Sequence, residues 1–181
     1  TALRVGSVKV STINLARIAY ESENEQQYLE KLEDIMNINL KLLHIVRSII
    51  KRNIEKGLLP NYTHGLVDLN TQYNTCGFVG VYETMKAFGY TYTDELDNTY
   101  YSDKAFDFGK RIFETMHKTK NEFQKDKDYQ CNLEQAPAEN CATKLQEADE
   151  NLYPEDVVTD LPLYANQFIG LGIKTTMKER I

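Results

Sequence analysis

The stretch YQCNLEQAPAENCATKL, residues 129–145, decides how this chain is read. Cys131, Leu133 and Gln135 alternate with Asn132 and Glu134, which is the period-two pattern of a strand. Pro137 follows, and then a run with helical spacing in which Cys141, Leu145, Ala148 and Leu152 share one side until Pro154 ends it. Pro137 fits the first helical turn, where its missing N–H costs nothing. A strand that turns straight into a helix leaves the early N–H groups, here those of Glu139, Asn140 and Cys141, without intrahelical partners. Together with the positive end of the helix dipole they form a ready anion site. Every helix has such an end, so the feature alone is weakly diagnostic. Glu134, just before the turn, is either an outward strand residue or a cavity acid suited to proton exchange.

Working outward, residues 103–124 carry a second apolar line of Ala105, Gly109, Ile112, Met116 and Phe123 behind an N-cap at Ser102. Residues 90–101, rich in Tyr, Thr, Asp and Asn, read as a loop. Residues 76–81 read as a buried strand with two glycines, a composition that marks close approach of another backbone or a ligand. The helix after it ends at Gly89. Glu83 in its first turn either complements the helix dipole or faces a cavity as a functional carboxylate. Residues 58–75 read as a connection with a short strand around residues 66–69.

Residues 24–56 form the longest element, in which Leu29, Leu32, Met36, Leu43, Val46, Ile50 and Ile54 recur at steps of three and four. Leu42, Ile45 and Ile49 widen that stripe, so a broad buried face is expected. Gly57 closes the helix and Pro60 prevents its resumption. His44, near the stripe, is read as a structural histidine. Residues 3–13 read as a strand, and Asn14 stands at its transition to a helix, as a cap or facing a cavity. The strand begins without a preceding cap or turn, as an excised piece would. At the other end, residues 161–169 read as a final extended segment.

The bulk numbers agree with one soluble globular unit. The 181 residues are 41% hydrophobic and 27% charged, with 21 basic against 27 acidic side chains and a net charge of −6. That balance argues against a nonspecific nucleic-acid binder. Cys76, Cys131 and Cys141 are an odd number with no CxxC pair, against both a disulfide scaffold and a self-contained zinc site. Cys76 is read as a small buried residue, because no nearby partner lowers its pKa. No secretory signal or membrane-length apolar run is visible, and the sequon at Asn61 is read as chance.

Four stretches in order, VGSVKVSTINLARIAYE (5–21), CGFVGVYETMKAFGY (76–90), NLEQAPAENCATKL (132–145) and LPLYANQF (161–168), resemble the catalytic barrel of anaerobic (class III) ribonucleoside-triphosphate reductases. The resemblance covers nearly the whole chain. It implies an α/β fold in which residues 1–181 are a partial catalytic domain, a section of a ten-stranded α/β barrel of the glycyl-radical enzyme type with one long amphipathic helix. It also implies a parent oxidoreductase, oxygen-sensitive and cytoplasmic, that makes DNA precursors from ribonucleoside triphosphates by glycyl and thiyl radical chemistry. The radical cysteine would precede Thr1, and the glycyl-radical segment and a cysteine-rich metal site would follow Ile181. The radical would be installed by an iron-sulfur/S-adenosylmethionine activase. The isolated chain is therefore expected to be inactive, with no cofactor or metal of its own and no nucleic-acid or membrane partner. The parent is expected to be a homodimer.

Substrate holding is what carries over. By resemblance, Ala136, Pro137, Ala138, Glu139, Asn140 and Cys141 match a substrate-phosphate turn, although Ala136 replaces a hydroxyl residue and Asn140 a serine. Asn14 matches an amide that faces the ribose, with Ala16 where the family usually has proline. The competing reading is a non-catalytic nucleotide-binding or interaction module that reuses this fold section.

Overall fold

The structure, a computed structural model, describes residues 5–135, 137–158, 161–170 and 172–176. Its centre is a parallel three-stranded sheet in the order β1 (Gly6–Asn14), β2 (Gln72–Val79), β5 (Cys131–Gln135). A parallel pair needs a long crossover, and the sequence supplies helices for it. Between β1 and β2 lie α1 (Leu15–Tyr20), α2 (Glu25–Glu55) and the short α3 (Pro60–Thr63). Between β2 and β5 lie α4 (Val81–Ala87), the hairpin β3 (Thr91–Thr93) and β4 (Thr99–Tyr101), and α5 (Asp103–Gln124). Helix α6 (Glu139–Leu152) follows β5, and residues 161–170 then run as a series of bends.

Helices α2 and α5 cover one face of the sheet. Ile13, Cys76, Phe78 and Cys131 on that face join Leu32, Met36, Leu40, Leu43, Phe108, Ile112 and Met116 in one buried cluster. Aromatic edges lock it: Tyr28, Phe88 and Phe108 meet at centroid distances of 5.0–5.9 Å, and Phe78 meets Phe113 at 5.3 Å. Asn24 caps α2 by accepting the Gln27 N–H at 3.0 Å. On the opposite face Val10 is 41% exposed and Glu134 is exposed.

Gly80 makes the β2–α4 corner. Its φ is +88°, and a Cβ there would lie 2.8 Å from the backbone nitrogen of Ala16. Only glycine meets both conditions at low cost. The expected close approach is thus to the backbone of α1.

Several local expectations are corrected. The widened stripe of α2 is not buried: Leu42, Ile45 and Ile49 are 51%, 55% and 43% exposed, and the core face runs through Tyr28, Leu32, Met36, Asn39, Leu40, Leu43 and Arg47. One sheet face spans only part of the helix circumference. Pro60 opens α3 at its first position, where its missing N–H is harmless. No strand forms at residues 66–69; a 3-10 turn, Leu69–Thr71, leads into β2, which starts four residues earlier than expected. Residues 90–101 hold the hairpin β3–β4, in which Tyr92 stacks on Tyr100 at 5.3 Å. Residues 161–169 are not extended but run as bends, with Tyr164 bonded to Asp149 of α6, Ala165 to Glu83 of α4, and Phe168 packed on Phe113 of α5 and Tyr101 of β4.

Candidate functional site

Open α/β sheets bind ligands beyond the carboxyl ends of their strands, and the expected site residues gather at that edge. Asn14 ends β1 level with Val79, and Gln135 ends β5 level with Phe78, one rung lower. Glu134 is level with Gly77 and Thr12, which places it on the same face of the sheet as Asn14. Strand spacing and rise put the two Cα atoms about 12 Å apart.

Helix α6 begins at the same edge. Its first internal hydrogen bond runs from the Ala142 N–H to the Ala138 carbonyl at 2.8 Å. Pro137 therefore precedes the helix and does not lie in its first turn, a correction of the sequence reading. Ala138 occupies the N-cap position and has no side-chain oxygen to cap with. Among the described residues, the N–H groups of Glu139, Asn140 and Cys141 have no protein acceptor. Pro137, Glu139 and Asn140 are exposed, and Ala138 and Cys141 are half-buried. Ala136 lies outside the described residues. The Glu139 carboxylate already sits in the first turn, so an anion would share the dipole with it.

Asn14 is the helix cap expected of it, and its other amide end is tied inside the protein. Its Oδ1 accepts the Arg17 N–H at 3.1 Å, capping α1, and its Nδ2 donates to Asp149 Oδ2 at 2.7 Å. Asp149, fully buried on α6, also accepts from Arg17 Nε at 2.6 Å, from the second Arg17 nitrogen at 2.5 Å and from the Tyr164 hydroxyl at 2.8 Å. Burial, with Tyr20 and Asp149 beside it, raises the Tyr164 pKa, so at neutral pH Tyr164 keeps the proton it donates. Each amide end of Asn14 is thus engaged within the protein. The cleft of about 260 Å³ that Asn14 borders opens between β1 and α2, with Arg17, Ile38 and Leu42, and does not include the first turn of α6.

This network was missed by sequence reasoning. The expected apolar line of α6 is only partly covered, Leu152 being 61% exposed, while the buried residues are Ala142, Gln146 and Asp149. A carboxylate at helical spacing from a small apolar residue was the available signal. Its partner Tyr164 lies 15 residues further on, and Arg17 lies 132 residues earlier.

Glu83 is fully buried in the first turn of α4, and both carboxylate oxygens accept the Ala165 N–H, at 3.0 and 3.2 Å. The Gly80 N–H donates to the Ala165 carbonyl at 2.8 Å. Residues 161–170 are thereby pinned across the strand ends, where a cavity of about 210 Å³ is lined by Leu161, Leu163, Ala165, Asn166 and Gly170 among others.

The remaining candidates are structural. Burial pushes the Cys76 thiol up to about 12, with Cys131 adding to the effect, so Cys76 is no nucleophile at neutral pH. His44 stacks on Tyr129 and shares a 2.7 Å hydrogen bond with its hydroxyl, while Arg47 lies 4.4 Å from the centroid of the same ring. Among the described residues no three His, Cys, Asp or Glu side chains converge as a metal ion would need, and none of their helices is long and apolar enough to cross a membrane.

Comparison with known proteins bears on this geometry. The sequence profile of the anaerobic ribonucleoside-triphosphate reductase family matches residues 1–178. No curated protein sequence matches. Among solved structures, the chain is similar to the anaerobic ribonucleotide reductase from Thermotoga maritima with citrate in the active site, at 35% identity and a TM-score of 0.90, covering 99% of this chain and 33% of that one. It is equally similar to the Thermotoga maritima enzyme in complex with dATP and CTP (36% identity, TM-score 0.90, 99% and 30% covered) and with glycerol in the active site (35%, 0.90, 99% and 29%). The chain spans about a third of the length of these structures. On the profile match and these structural similarities, the chain belongs to the anaerobic ribonucleoside-triphosphate reductase family.

Proposed function

We propose that this chain is the substrate-holding section of an oxygen-sensitive ribonucleotide reductase, which makes deoxyribonucleotides from ribonucleoside triphosphates in the cytoplasm. The reading rests on one observation: three unpartnered amides at the start of α6, at the carboxyl edge of a parallel sheet whose same face carries Asn14 and Glu134. The amides of Glu139, Asn140 and Cys141, with Pro137 and Ala138 before them and Ala136 by resemblance, hold phosphate oxygens. The exposed carboxylate of Glu134 accepts and returns a hydroxyl proton of the ribose. Asn14 keeps one Nδ2 hydrogen and one Oδ1 lone pair beyond its two internal bonds, and these are what it offers the sugar. Relatives hold dATP and CTP, or citrate or glycerol in the active site; a polyanion and a polyol fit the two halves of this site.

The three cysteines of this chain carry no radical step in this reading: Cys76 and Cys131 are buried core residues, and Cys141 stands in the first turn of α6, where its amide faces phosphate. A glycyl radical, set in the parent by an iron-sulfur/S-adenosylmethionine activase, would supply the hydrogen-atom chemistry; the residues here bind, orient and exchange protons. A homodimeric parent with a C-terminal metal site belongs to the same proposal.

Titrating the chain with CTP, CMP and cytidine tests it. Affinity is expected to fall at each loss of phosphate and to weaken with added salt. Equal affinity for CTP and cytidine, or no binding of CTP, overturns the phosphate assignment.

A further inference from the structure

One hydrogen-bonded row crosses all three strands on the face opposite α2 and α5. Thr75 Oγ1 donates to Asn132 Oδ1 at 2.6 Å and lies 2.5 Å from Ser7 Oγ. Thr75 has a single hydroxyl proton, given to Asn132, so Ser7 is the donor in the second bond. Thr75 is fully buried, whereas Asn132 is half-exposed. A bulge in β1 makes the row possible: the register steps from Ser7 level with Tyr73 to Lys9 level with Asn74, which leaves Val8 as the extra residue and puts both Ser7 and Val10 on the face of Thr75.

The row fixes how the Asn132 amide is turned. Its oxygen is anchored to Thr75, so its NH2 group is directed away from Thr75, and among the described residues that group has no acceptor. Glu134 stands two residues further along β5 on the same face, about 7 Å away. It lies level with Gly77, which has no side chain to fill the space between strands. A fixed donor and a carboxylate acceptor therefore stand side by side on the open face of the sheet.

We propose that Asn132 is a positioning residue for the sugar: its Nδ2–H donates to one ribose hydroxyl while Glu134 accepts from the adjacent one, with Ser7 and Thr75 setting the orientation of the amide. The assignment rests on the nucleotide reading above, in which Glu134 exchanges a ribose proton. It adds that the pair distinguishes vicinal hydroxyls from their absence. Two hydroxyls on neighbouring carbons match an adjacent donor and acceptor; a sugar lacking both leaves the amide and the carboxylate with water.

The test compares CTP with 2′,3′-dideoxy-CTP on the same chain. The unsubstituted chain is expected to prefer CTP. Asn132→Ala should weaken CTP about five- to tenfold, the worth of one neutral hydrogen bond, and leave the dideoxy nucleotide within about twofold. Asn132→Asp, which keeps the oxygen that Thr75 donates to and removes the amide donor, should lose the same preference if the alanine variant fails to fold. Thr75→Val should lower the preference in part, and Thr75→Ser should retain it. Equal weakening of both nucleotides would show a merely structural asparagine and overturn the assignment. An unchanged preference with intact CTP binding overturns this inference alone. Failure of the unsubstituted chain to bind either nucleotide overturns the preceding reading and this one with it.

Discussion

The packed face of the central sheet and its carboxyl edge are built on different principles. Under α2 and α5 the contacts are apolar and aromatic, from Leu32, Met36 and Leu40 to the Tyr28, Phe88 and Phe108 rings. Such contacts are non-directional, and their strength follows buried area. At the carboxyl edge the ties are directional: Asp149 gathers Asn14, Arg17 and Tyr164, and Glu83 holds the Ala165 backbone. The first region gives the fold its stability. The second fixes α6 and residues 161–170 relative to the strand ends, which is what a site of exposed amides needs. Regions held by a few polar ties open at lower free energy than a packed core.

Substitutions can break that contrast, and the largest effects fall on the core. Phe108→Ala is expected to lower global stability by about 3–5 kcal/mol, read from urea unfolding, because a fully buried ring leaves a cavity among tightly packed partners. Asp149→Ala is expected to cost about 3–5 kcal/mol locally, since it strands the Arg17 guanidinium and two neutral donors. Its distinguishing result is in hydrogen exchange: α6 and residues 161–170 lose protection while α2 and α5 keep theirs. Uniform loss of protection would show that the two regions form one cooperative unit.

Gly80→Ala sharpens the comparison at the corner where the regions meet. A positive φ and a 2.8 Å approach to Ala16 should cost about 1–3 kcal/mol, seen as a lowered melting temperature. The pH response reads the burial of protons. Tyr20 and Cys76 both have pKa values pushed up to about 12, chiefly by burial. Groups raised in the folded state bind protons more tightly there, so their contribution is fully present below the unfolded values near 9 to 10. It is lost as pH rises towards about 12. The urea midpoint should therefore fall between pH 8 and pH 11, with a shallower fall in Cys76→Ala; a flat profile would contradict the burial of these groups. The smallest effect belongs to the exposed stripe of α2. Leu42→Lys should change stability by under about 0.5 kcal/mol, yet reduce any concentration-dependent association seen by sedimentation.

Much of this fold was legible in the sequence because periodicity reports burial. The Leu32, Met36 and Leu43 steps of α2, the alternation in β5 and the N-cap at Asn14 all stand where the residues put them. Periodicity failed where polarity and burial part company. Leu42, Ile45 and Ile49 look like core, but the sheet is too narrow to cover them, while Asp149 looks like surface and is fully buried. The Ser7, Thr75 and Asn132 row depends on strand order and on a bulge, neither of which a single sequence displays. At the site, the free amides after Ala138 follow from the helix start alone, whereas the engagement of Asn14 by Asp149 needed a contact across 135 residues.

The amides at the start of α6 decide the account most directly. With the chain labelled in its backbone nitrogens and CTP added, the signals of Glu139, Asn140 and Cys141 are expected to move together and to saturate, with smaller changes at Asn14 and Glu134. Signals at those three positions that stay still while others respond would place the triphosphate elsewhere and contradict the central claim.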